Sequence, residues 1–113
     1  MKRQVLHEAL SSVAKVSQLT NRAGVIKKDT LILRKKQSMA STTNGIGVYM
    51  YWEVLCYVPA NSMVQLDTLV EKVTSCLKQV GAEITNVFGE DYYDEELKAF
   101  MSYVEFRTPR VLL

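Results

Sequence analysis

The sequence is short of the residues on which most enzyme chemistry depends. It holds one histidine, His7, and two cysteines, Cys56 and Cys76, in 113 residues. A Cys/His zinc site needs four such ligands converging at tetrahedral geometry, and this chain cannot supply them. The cysteines lack CxxC spacing and are too few for a disulfide framework. Each falls on the apolar side of its element and reads as a buried thiol acting as a small hydrophobe. There is no GxSxG elbow, no P-loop and no GxGxxG after a strand. Gly45 and Gly47 read as turn residues. The expectation is no catalysis, no metal and no cofactor.

No apolar run approaches the roughly 18 residues of a membrane span, so no membrane partner is expected. Met1-Lys2-Arg3 carries the charge of a signal-peptide start. His7 and Glu8 then break the apolar region, and no small-residue cleavage site follows, which points to the cytoplasm. The basic stretch from Arg22 to Lys36 contains no aromatic residue. Sequence-reading nucleic-acid surfaces interleave aromatic or amide side chains with their cations, so at most a backbone attraction without sequence preference is supported here.

What the chain does have is charge polarity. Residues 1–50 carry nine Lys/Arg against Glu8 and Asp29, a net of +7, while residues 51–113 carry five against ten acids, a net of −5. The overall +2 hides this split. Opposed charges can bind a polyanion on one side, or join copies of the chain head to tail.

The hydrophobic pattern predicts a single domain over residues 1–113. Residues 4–19 have helical spacing, with Val5, Leu6, Ala9, Leu10, Val13 and Val16 on one stripe. Thr30–Arg34 is a short strand, followed by a long hairpin loop at about 36–47 with a turn at Asn44-Gly45. Residues 48–58 alternate cleanly: Val48, Met50, Trp52, Val54, Cys56 and Val58 face one side, and Tyr49, Tyr51, Glu53, Leu55 and Tyr57 the other. That second face is too apolar for bare solvent and is expected to meet another element or subunit. Ser62 with Gln65 matches a capping box, opening a helix with apolar positions Leu66, Leu69, Val70, Val73, Cys76, Leu77 and Val80. Gly81 is placed to end it in the left-handed conformation. Strands are expected at 82–87 and 99–107, with a solvated acidic turn between them. The expected fold is α+β, two helices on a mixed, mostly antiparallel sheet of about four strands in the order α-β-β-α-β-β.

The acidic run Glu90, Asp91, Asp94, Glu95 and Glu96 lacks the ligand spacing and internal glycine of a calcium loop. It reads as a charged tip or as a subunit-contact surface. The basic set Arg34, Lys35 and Lys36 would be its partner on a neighbouring copy.

Residues 48–110 carry a family resemblance. The strand end Tyr57-Val58-Pro59, the helix Leu66–Val80, the run Gly89-Glu-Asp-Tyr-Tyr-Asp-Glu-Glu96 and the final strand Lys98-Ala-Phe-Met-Ser-Tyr-Val-Glu-Phe-Arg-Thr-Pro109 occur in that order. Together they resemble the small tail-terminator or tail-completion proteins of long-tailed bacteriophages. The resemblance implies a homo-oligomeric ring, usually of six copies, that caps the tail tube, ends its polymerisation and joins the tail to head–tail connector proteins. It further implies assembly in the host bacterial cytoplasm, a place in the virion neck, and double-stranded DNA passing through the lumen. On that view Arg34, Lys35, Lys36, Tyr49, Tyr51, Tyr57 and the five acids form subunit contacts, and Arg22, Lys27 and Lys28 meet DNA or a partner. The alternatives are another head–tail connector protein, or a small non-sequence-specific nucleic-acid-binding module.

Overall fold

The computed structural model describes residues 3–17, 25–36, 49–59, 63–87 and 92–109. Among these residues two helices, α1 (Arg3–Ser11) and α2 (Met63–Gln79), accompany six strands: β1 (Lys15–Val16), β2 (Thr30–Lys36), β3 (Tyr49–Pro59), β4 (Glu83–Val87), β5 (Tyr92–Asp94) and β6 (Ala99–Pro109). The strands form one mixed sheet in the order β1-β2-β3-β6-β4, with β5 also pairing β6. β1 runs parallel to β2, and every other pair is antiparallel.

This overturns the expectation of about four strands in the order α-β-β-α-β-β. The two added strands have two and three residues, too short to display a period of 2 in sequence. The first of them also shortens the helix expected over 4–19. α1 stops at Ser11, where Ser11 Oγ donates to His7 O and Ser12 Oγ to Ala9 O, both at 2.7 Å. Adjacent serines bonding back to the last turn offer the backbone an alternative to further helix. Val13 and Val16 still pack against the core, so their spacing fitted a helix although only part of the stretch is one. Val5, placed on the stripe by periodicity, is 46% exposed.

α2 follows its pattern closely. Leu66, Leu69, Val73 and Leu77 are buried, together stabilising the fold by on the order of 6–12 kcal/mol at the usual value per buried side chain. Gly81 takes φ 90°. Its N–H donates to Lys78 O at 3.1 Å, while the Ala82 N–H reaches Leu77 O at 2.9 Å. That pair of bonds is the Schellman termination, which needs the left-handed residue glycine accepts without strain. Ser62, the expected cap, lies outside the described residues, as do residues 37–47 of the expected hairpin loop at 36–47, while Lys36 belongs to β2.

Both helices lie on one face of the sheet. There Leu31, Leu33, Trp52, Val54, Cys56, Val58, Val104 and Phe106 join Leu6, Leu10 and the α2 stripe in the main core. Trp52 and Phe106 stack with centroids 6.4 Å apart, and Trp52 Nε1 donates to the buried Thr108 Oγ1 at 3.0 Å. Cys56 sits in this core, and burial pushes its thiol up to about 12.

Candidate interaction surface

Among the described residues the other face of the sheet carries no helix, and its side chains follow from strand register. β2, β3 and β6 align Arg34 with Glu53 and Glu53 with Glu105, and one level further along align Lys36 with Tyr51 and Tyr51 with Arg107. Glu83 on β4 then sits opposite Arg107. Cross-strand neighbours on one face are close enough for direct pairing, and each cation here finds a carboxylate. Arg34 Nε donates to Glu53 Oε1 at 2.7 Å, and a second guanidinium nitrogen reaches the same oxygen. Lys36 Nζ donates to Glu105 Oε2 at 2.8 Å. Arg107 grips Glu83 with two bonds, at 3.0 and 2.8 Å, and lies 4.0 Å over the Tyr49 ring.

These pairs shift the groups in the directions expected. Glu105 holds the Lys36 ammonium above its ordinary value. Glu83 first, and the Tyr51 hydroxyl second, raise Arg107, while Arg107 lowers Glu83. At the opposite end, Ile32, Leu55, Tyr57 and Ala99 form a second apolar cluster with Ile26 and Leu97 packed against it. The Ile26 N–H donates to Leu97 O at 2.8 Å, so segment 25–29 crosses to meet the turn after β5. Burial, reinforced by the charge of Asp94, raises the Tyr57 phenol.

The residues expected to form subunit contacts therefore divide. Tyr49, Tyr51 and Tyr57 share the helix-free face, but Tyr57 is buried within the chain and Arg107 engages the other two. Arg34 and Lys36 are already paired with Glu53 and Glu105. Lys35 points to the helix side, its ammonium 5.4 Å from the Trp52 ring centroid. Asp94 Oδ1 accepts the Leu97 N–H at 3.0 Å and shapes the turn, while Glu95 and Glu96 are exposed. Lys27 and Lys28 are exposed beside that turn, and no ion pair joins them to its acids among the described residues. Arg22, Glu90 and Asp91 lie outside the described residues.

Two features of the sheet edges were not foreseen. β5 is an outer strand on which Tyr92 is 58% and Tyr93 39% exposed, an aromatic edge running into Glu95 and Glu96. Along the outer side of β2 lies a cavity of about 540 Å³ lined by Arg3, His7, Val16, Leu33, Arg34 and Lys35 among others. Arg3 takes part because its guanidinium donates to Leu33 O at 3.2 Å and lies 5.5 Å from the Trp52 ring centroid. Its separation of 30 residues from Leu33 leaves no local sequence signal. Among the described residues no group of three or more His, Cys, Asp or Glu is placed to hold a metal ion. Comparison with protein families and with curated proteins finds no match to this chain.

Proposed function

We propose that this chain is a structural assembly protein of a long-tailed bacteriophage, a tail terminator whose copies form a ring on the finished tail tube. The ring, of about six copies as its likeness to that family implies, ends tube polymerisation and offers a surface to the head–tail connector. DNA passes through its lumen. The observation that carries the reading is the position of the family-like run. Its described part, Tyr92–Glu96, is β5 and the start of the turn after it, whose exposed tyrosines and acids form a strand edge unpaired among the described residues, of a kind monomeric proteins usually blunt. A nucleic-acid module is less well supported, because Glu53 and Glu105 already neutralise Arg34 and Lys36.

The test is mass and activity on tubes. Light scattering and negative-stain imaging of the purified protein, alone and with tail tubes, are expected to show rings and arrested tube growth. A strict monomer that leaves tube growth unchanged would overturn the proposal. Rings that bind the connector without limiting tube length would move the assignment to another neck protein.

A further inference from the structure

Among the described residues the outer edge of β2 is only partly covered. β1 pairs with Thr30 and Leu31 alone, and the Ser17 N–H closes on Leu31 O at 2.8 Å. Beyond that point no described strand pairs with β2 on this side. Backbone direction alternates along a strand, so a Leu31 carbonyl that faces outward sets Leu33 and Lys35 outward too, and turns Arg34 and Lys36 toward β3. The Leu33 carbonyl agrees, since it receives Arg3 from outside. Lys35 thus presents both its N–H and its C=O to the cavity beside this edge.

The cavity has the character of a strand-binding groove. Val16, Ile32 and Leu33 give it apolar walls, and among the described residues Arg3 and Lys35 stand at it without a carboxylate partner and no acid lines it. Four residues of extended chain span about 13 Å, the length of Leu33–Lys36. A strand laid there would complete the ladder, and acidic side chains on it would meet the two cations.

We propose that the β2 edge from Leu33 to Lys36 accepts, by strand addition, the β5 edge of a second copy, Tyr92–Asp94 with Glu95 and Glu96. This rests on the ring reading and names its seam. β5 is an outer strand, its tyrosines are exposed, and none of its acids forms an ion pair among the described residues. The charges also select the pairing. Two β2 edges would set Lys35 and Arg3 against their own copies, and two β5 edges would set acid against acid; only the unlike pair attracts. Because β5 pairs with the part of β6 that lies level with the start of β2, while the groove flanks the far end of β2, the two surfaces occupy diagonal corners of the sheet. Unlike patches at opposite corners make a heterologous contact, which closes into a ring or runs on as a filament.

Cross-linking tests the seam directly. In a background with Cys56 and Cys76 replaced by alanine, Lys35→Cys protein mixed with Tyr93→Cys protein should yield a disulfide-linked dimer under oxidation. Neither protein alone should, and the double variant should give a ladder ending at the ring. Lys35→Pro removes an outward N–H, which an edge strand tolerates, together with the ammonium over the Trp52 ring. It should abolish assembly while leaving the thermal midpoint of the monomer unchanged. Lys35→Glu should lose assembly at least tenfold in concentration, and Glu95→Lys with Glu96→Lys on the partner should restore it. Rings that form without the mixed cross-link and survive Lys35→Pro would overturn this seam and leave the ring reading intact. A monomer in every preparation, with tubes or without, would overturn both.

Discussion

Replacing Arg34 with methionine should destabilise the protein by about 2–3 kcal/mol, and the reason lies in the row of charges it completes. Glu53 and Glu105 stand directly opposite each other on β3 and β6, where strands lie about 4.8 Å apart. Their side chains are only 10% and 22% exposed, so water screens the repulsion poorly. Arg34 and Lys36 flank the pair and hold one carboxylate each. Losing Arg34 removes two charge-assisted hydrogen bonds to Glu53, each worth roughly 1.5–3 kcal/mol when fully made. The Arg34 side chain is 47% exposed, so water recovers much of that, and about 2 kcal/mol remains. Like charges left facing each other add up to about 1 kcal/mol. Urea denaturation at fixed protein concentration, followed by the fluorescence of Trp52, the only tryptophan, gives the number. Glu53→Gln in the same chain should relieve the repulsion, so the double variant should cost at least 0.5 kcal/mol less than the two single changes added together, on the scale expected for residues in contact. Strict additivity, or a cost for Arg34→Met below about 0.5 kcal/mol, would refute the coupled row.

Two further predictions concern the core. Thr108→Val strands the buried Trp52 N–H and should cost about 1–3 kcal/mol, with Thr108→Ser restoring most of it; unfolding free energies from urea titration that agree to within about 0.5 kcal/mol for the three proteins would count against the Trp52–Thr108 bond. At high pH, Cys56 and Tyr57 should weaken the fold, because their folded-state values lie above the ordinary 9.0 and 10.0. Their contribution is complete below pH 9 and falls as pH rises from 9 toward 12. Cys56 alone accounts for about 3 kcal/mol of lost stability by pH 11. Cys56→Ala should therefore lose less between pH 8 and pH 11 than the parent does, and equal losses would contradict the assignment.

What could be read from sequence was whatever repeats over enough residues. α2 shows four turns of a one-sided stripe and a glycine where the left-handed residue belongs, and β3 and β6 each alternate through eleven residues. β1 and β5 are shorter than the repeat needed to recognise them. Val13 and Val16 suit a helical stripe and a packed turn and strand equally well, so hydropathy could not separate the two. The serine hydroxyls of residues 11 and 12 mark where the helix gives way, and that signal lies in side-chain hydrogen bonding.

The charge polarity was legible, but its use depends on register, which sequence does not print. A slip of one residue between β2 and β3 would turn every β2 side chain to the other face. With Arg34 opposite Glu53, Arg34 and Lys36 must share the helix-free face with Glu53 and Glu105. The same register sends the Lys35 side chain to the helix side and turns its backbone to the open edge. One alignment therefore withdraws two cations into pairs within the chain and leaves the third, with Arg3, at the groove. A basic segment of three consecutive cations thus works as two different surfaces. Assembly should respond to Lys35 through the edge, while Arg34 and Lys36 should register first in the stability of the single chain.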